Sequence, residues 1–118
     1  MKKIYYLSTC STCNRIIKDL GLDDSFEYQD IKTNKITEAQ LEQMAKMSGT
    51  YESLFSRRAM KYKELDLGSK DLSETDIKKL ILEEYTFLKR PVIIIDSEIF
   101  VGNAKTTIEK IKIKLNSL

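Results

Sequence analysis

The chain has 118 residues, 42% of them hydrophobic, and a formal net charge of +2 from 20 basic and 18 acidic side chains. That length fits one domain able to bury roughly two-thirds of its unfolded surface without disulfide support, and its interleaved charges argue against direct nucleic-acid binding, which needs a concentrated basic face. With no histidine and only two cysteines, the chain has no support for Cys-His or Ser-His hydrolase chemistry, histidine-ligated metals or an all-cysteine zinc or iron–sulfur site, so no metal is expected.

The start, Met1 to Leu7, carries an apolar stretch too short for a secretory core, and no segment approaches the ~20 apolar residues of a membrane span. The expected compartment is the cytoplasm, where a C-x-x-C pair is more often catalytic than structural. No membrane partner is expected. Glycine-rich phosphate loops are missing, so a nucleotide site has no support either.

Ile4 to Leu7 reads as a buried strand, followed by a helix-like stretch from Asn14 to Leu20 that ends at Gly21, a residue suited to the left-handed C′ position. Between them lies Cys10-Ser11-Thr12-Cys13, at a strand-to-helix turn. Unpaired backbone N–H groups and the positive end of the macrodipole there stabilise a thiolate, which makes Cys10 the expected nucleophile. Cys13 lies one helical turn on, at a separation compatible with the roughly 4.4 to 6.8 Å Cα distance of a disulfide, so the two can form a redox couple. The alternative is a pair of small buried residues or a structural cross-link, but a bridge closing so short a loop would constrain the unfolded chain very little.

Phe26 to Asp30, with Phe26 and Tyr28 alternating against polar neighbours, reads as a second strand and completes a β-α-β unit. Thr37-Glu38-Ala39-Gln40 matches a capping box for a helix to about Met47 with Leu41, Met44 and Ala45 on one side. A short helical piece over Tyr51 to Phe55, Arg57-Arg58 and an irregular stretch to Gly68 follow. Ser73 with Asp76 then caps another helix, expected to reach Tyr85 and carrying Ile77, Leu80 and Ile81 at helical spacing. The β-branched run Val92 to Ile95 and Glu98 to Val101, joined by Asp96-Ser97, form a hairpin. The last helix is marked by Thr106-x-x-Glu109 and carries Ile108, Ile111 and Leu115, with Lys110, Lys112 and Lys114 as a solvated, dipole-compensating face.

The resulting fold class is α/β: a thioredoxin-like β-α-β / β-β-α core with an inserted helical subdomain at about 35–88, in one domain spanning 1–118. Four segments carry a resemblance to the ArsC/Spx family: Tyr6 to Arg15, Leu54 to Arg58 with Tyr62 to Leu65, Leu88 to Ile93, and Val101-Gly102. The similarity implies that Cys10 falls on the nucleophilic cysteine, which in the arsenate reductases attacks arsenate before glutathione and glutaredoxin complete the reduction. It implies that Arg58, or the adjacent Arg57, matches the arginine ending the Leu-Phe-x-x-Arg segment. Arg90 and Pro91 match the arginine and cis-proline that face the active cysteine. The chain departs from well-studied reductases in offering no arginine over Gly102 to Lys105 and in carrying Cys13, as Spx-type regulators do.

Only four arginines occur, at 15, 57, 58 and 90, and their planar forks suit bidentate capture of an oxyanion or carboxylate. Read without the resemblance, Arg57 and Arg58 could equally be solvated loop charges, and Arg90 the partner of Glu83 or Glu84. The expected activity is that of a thiol oxidoreductase of the arsenate-reductase-like class. Its substrate would be a small oxyanion or thiol, it would bind no cofactor, and glutathione or a glutaredoxin/thioredoxin-type protein would reduce it. The alternative is an Spx-like redox-switched regulator contacting the RNA polymerase α subunit; Gly49 stands near the glycine that such proteins use for that contact, although a C-cap between a helix end and a short helix is the favoured explanation of it.

Overall fold

The computed structural model describes residues 1–118. They divide into two compact units, one formed by Met1–Asn34 and Arg90–Leu118 and the other by the continuous segment Lys35–Lys89. No helix is long and apolar enough to cross a membrane.

The first unit contains β1 (Lys2–Tyr6), α1 (Ser11–Leu20), β2 (Glu27–Asp30), β3 (Val92–Ile95), β4 (Glu98–Val101) and α5 (Lys105–Asn116). Its sheet has the order β2-β1-β3-β4, with β1 parallel to β2 and antiparallel to β3, and β3 antiparallel to β4. This is the thioredoxin-like α/β arrangement expected from the sequence. Register puts Ile4 opposite Ile93 and Ile93 opposite Phe100, so three apolar side chains form a row across one face. That row joins Phe26, Ile95 and Ile111 in a buried core against which Ile17, Leu20 and Leu115 pack from the two helices. Central β3 is buried along its whole length, which its uninterrupted β-branched sequence permits.

Three sequence expectations change here. In β2, Tyr28 is exposed and Gln29 buried, the reverse of the predicted alternation; the Gln29 amide donates to the Asn34 carbonyl at 3.0 Å, which satisfies it inside the protein. On the same sheet Lys3 is buried, paired with Glu27 at 3.2 Å and lying over the Tyr5 ring at 5.1 Å. The last helix begins at Lys105 behind an extended Ala104 without a side-chain cap, so Thr106 lies within the helix and its spacing to Glu109 is not a capping box. Helix α1 begins at Ser11 rather than Asn14, and Gly21 closes it in the left-handed conformation, φ 64°.

The second unit contains α2 (Glu38–Ser48), α3 (Met60–Glu64) and α4 (Glu74–Glu83), with 3₁₀ turns at Glu52–Leu54, Leu67–Ser69 and Tyr85–Phe87. The stretch that follows Arg57-Arg58 up to Gly68, expected to be irregular, thus holds a short helix and the start of a turn. Tyr62 of α3 meets Phe55 edge-on at 6.0 Å, and Phe55 packs on Phe87 at 5.3 Å, so tertiary aromatic contact supports a helix too short to show periodicity. The α4 helix ends at Glu83, two residues before Tyr85, and Glu84 caps the following turn by accepting from Thr86 N–H at 3.2 Å and from its hydroxyl at 2.9 Å.

Both capping boxes in this unit form with reciprocal bonds, Thr37 with Gln40 and Ser73 with Asp76. Thr37→Ala and Ser73→Ala should each lower stability by about 1 kcal/mol, the usual worth of an N-cap, measured as a shift in denaturation midpoint at constant slope. A loss under a few tenths would mean that water replaces the cap.

Candidate active site

Leu7 to Cys10 is a tight turn at the end of β1, closed by a hydrogen bond from the Cys10 N–H to the Leu7 carbonyl at 2.9 Å. Cys10 then occupies the N-cap of α1, with extended backbone at φ −91°, ψ 111° and no side-chain oxygen to cap the helix. Its own carbonyl accepts the Asn14 N–H at 3.1 Å. The N–H groups that a serine or aspartate cap would satisfy are those two and three residues on. Cys10 makes no side-chain capping bond, and the Thr12 and Cys13 backbones act on its sulfur by favouring the thiolate.

Cys10 is half-buried and Cys13 fully buried, both as free thiols. Burial alone would raise the Cys10 pKa. Hydrogen bonds from the Cys13 backbone and thiol and from the Thr12 backbone, joined by the Arg90 charge, outweigh it and hold Cys10 below the ordinary thiol value. Burial pushes Cys13 the other way, up to about 11, and its hydrogen bond to Cys10 and the Cys10 charge add to the rise despite Leu7 and Arg90.

Arg90 is half-buried and its Nε is withdrawn from solvent. It precedes Pro91 through a cis peptide bond, and the Pro91 carbonyl accepts the Gly102 N–H at 2.9 Å at the start of the β3–β4 pair. Cys10, Cys13, Arg90 and Pro91 all belong to the first unit, and Arg57 and Arg58 to the second. Within that second unit Arg57 pairs with Glu52 at 3.4 Å and lies over Phe55 at 5.4 Å; Arg58 is exposed. Gly49 closes α2 at φ 105°, with its N–H on the Ala45 carbonyl at 2.7 Å. No cluster of three or more metal-ligating side chains occurs.

The sequence reading missed the bonds around the turn itself. Asn14 donates its side-chain amide to the Ser8 carbonyl at 2.8 Å, and the Ser8 hydroxyl donates to the Asp30 carboxylate at the end of β2. Asp30 is not identifiable from spacing, because it reaches Ser8 only through the β1–β2 register.

Opposite pKa shifts predict a pH profile. Iodoacetamide reacts with thiolate, so the Cys10 rate should climb and level off at lower pH than for a free cysteine, whose pKa is about 8.5. Cys13 should stay protonated and slow to alkylate across the neutral range. Mass-resolved labelling checks this, and faster labelling of Cys13 would reverse the assignment.

A sequence profile of the ArsC family matches residues 5–111. Among solved structures, a possible arsenate reductase from Streptococcus mutans UA159 is 26% identical, with 94% of this chain and 97% of that one covered and a TM-score of 0.72. An arsenate reductase from Vibrio cholerae is 17% identical over 93% and 96% of the two chains, at TM-score 0.75. An arsenate reductase related protein from Brucella melitensis is 24% identical over 92% of each chain, at TM-score 0.70. A comparison with curated proteins found no match. The profile takes in Cys10, the turn that holds it, the whole second unit and the Arg90-Pro91 step, and on that span the chain belongs to the ArsC family.

Proposed function

We propose that the protein is a thiol oxidoreductase acting on a small oxyanion of the arsenate type, with Cys10 as attacking thiolate and Cys13 as resolving thiol. The observation that carries this reading is the opposed state of two adjacent thiols: Cys10 held below the ordinary value at the N-cap of α1 and Cys13 buried and pushed up to about 11. In the first step the Cys10 sulfur forms a bond to pentavalent arsenic and an arsenate oxygen leaves as water after taking up protons. In the second, Cys13 attacks the Cys10 sulfur; the sulfur–arsenic bond breaks, its electron pair stays on arsenic, and arsenite and a Cys10–Cys13 disulfide result.

Two thiols thereby supply the two electrons that arsenic gains. Burial is the chief reason that Cys13 stays protonated, and the Cys10 negative charge adds to it, so adduct formation, which removes that charge, makes the resolving thiol easier to ionise. Glutathione, or a glutaredoxin/thioredoxin-type protein, would reduce the disulfide. Arg90, whose charge acts on both thiols, would hold the oxyanion. Pro91 would border the bound substrate beside it. Of the two arginines matching the family's Leu-Phe-x-x-Arg segment, Arg57 pairs with Glu52 within its own unit and Arg58 is exposed, so Arg58 is the better match for the family's arginine.

Cys13 also supports a second reading, a redox-switched regulator of the Spx type that binds RNA polymerase through its α subunit. Arsenate reduction with glutathione and glutaredoxin, run beside a pull-down with the C-terminal domain of polymerase α, tests both. Turnover without capture supports the enzyme. Capture that depends on the Cys10–Cys13 oxidation state, without turnover, replaces it with the regulator.

A further inference from the structure

The turn that presents Cys10 has little packing to hold it. Ser8 and Thr9, its two central residues, are exposed, and its closing bond from Cys10 to Leu7 fixes the ends but not the apex. Two side chains reach the apex from different elements. Asn14 lies one turn into α1, and long side chains on a helix lean back toward its N-terminus, which brings its amide to the Ser8 carbonyl at 2.8 Å. The Asn14 backbone N–H meanwhile bonds the Cys10 carbonyl at 3.1 Å, so this one residue grips the chain on both sides of Thr9. From the sheet, Asp30 accepts the Ser8 hydroxyl on one carboxylate oxygen and the Lys32 N–H at 3.2 Å on the other.

We infer that Asn14 and Asp30 are positioning residues for Cys10, bracing the Ser8 apex from α1 and β2 so that the Cys10 sulfur stays over the N-terminus of α1. The inference rests on the reading of Cys10 as the attacking thiolate. Its physical basis is distance: the Thr12 and Cys13 backbones favour the thiolate only while the sulfur stays close to them, at the first turn of α1. The Asp30 carboxyl is itself held below the usual range, chiefly by the Ser8 hydroxyl, so the brace stays charged throughout the neutral range. The charged or titratable groups acting on Cys10 directly are Cys13 and Arg90, and neither is altered by changing the brace.

Both brace bonds are exposed, and alanine is a better helix former than asparagine, so Asn14→Ala should leave the melting temperature almost unchanged. The test is the pH profile of Cys10 alkylation, resolved by mass, for wild type, Asn14→Ala, Ser8→Ala, Ser8→Thr and Asp30→Asn, with a melting curve for each. Asn14→Ala and Ser8→Ala should move the profile upward by about half to one pH unit, which slows labelling about three- to tenfold at a fixed pH below it. Ser8→Thr, which keeps the hydroxyl, should return it to the wild-type position. Asp30→Asn, which keeps an acceptor but not the charge, should fall between. A wild-type Cys10 below the ordinary thiol value with unmoved Asn14→Ala and Ser8→Ala profiles overturns the brace and leaves the Cys10 reading intact. A wild-type Cys10 that titrates like a free thiol overturns both.

Discussion

Cys10→Ser should abolish turnover, by about a thousandfold or more, while leaving the fold intact. A serine hydroxyl is similar in size and would serve the N-cap better than sulfur does, so the variant should melt at or above the wild-type temperature. What it loses is ionisation: the hydrogen bonds and the Arg90 charge that bring a thiol below its ordinary value cannot bring an alkanol into the neutral range. Cys13→Ser separates the two steps. It leaves the attacking sulfur, the Thr12 backbone and the Arg90 charge in place, so a first adduct should still form, but the single arsenite that reduced wild type releases per chain without added thiol should appear only when glutathione is supplied. The measurement is arsenite release with and without glutathione for both variants. Residual turnover in Cys10→Ser above that of unfolded protein would sink the assignment, and a Cys13→Ser protein that releases one arsenite per chain without added thiol, as wild type does, would remove the resolving role.

The parts of the fold legible in the sequence were those written locally. Thr37 with Gln40 and Ser73 with Asp76 are three residues apart and complete each other's bonds within one turn, so spacing alone locates them. Val92 to Ile95 and Glu98 to Val101 pair across two residues, and Gly21 takes the left-handed conformation that ends α1. The same spacing rule misplaced the start of α5, because Thr106-x-x-Glu109 has the pattern while the extended residue that begins the helix is Ala104. Gln29 and Lys3 were hidden for a different reason. Each is buried with a partner outside its own strand, the Asn34 carbonyl five residues on or the Glu27 carboxylate on β2, and alternation of polarity carries no record of such partners.

The site divides the same way. Cys10 at a strand-to-helix turn was visible as a motif, and its N-cap geometry follows from the turn that β1 makes into α1. The Asp30 half of the brace depends on the parallel register of β1 with β2, which no local pattern encodes, and the Asn14 half on the turn that carries Ser8 back over α1. Arg57 and Arg58 were indistinguishable as neighbours in sequence. Glu52, five residues before Arg57, separates them by pairing with one.

Arg90→Lys should weaken oxyanion binding by about 1.5 to 3 kcal/mol, the worth of a charge-assisted hydrogen bond, or roughly ten- to a hundredfold in affinity. Lysine keeps the positive charge, so the Cys10 alkylation profile should stay close to wild type; it loses the planar fork that can meet two oxygens at once. The backbone around the position is held independently of the side chain, by buried Pro91 and its bond from Gly102 at 2.9 Å, so the melting temperature should change little. Arg90→Met removes the charge as well and should lift the Cys10 profile, which separates the guanidinium's effect on the thiolate from its effect on the anion. Titrations with arsenate, sulfate and glutathione, beside the two alkylation profiles and a melting curve, supply every quantity. If both variants bind anions as wild type does and melt at a lower temperature, Arg90 is a structural residue, and the Cys10–Cys13 pair then stands without an oxyanion site and fits a redox-switched binding protein better than a reductase.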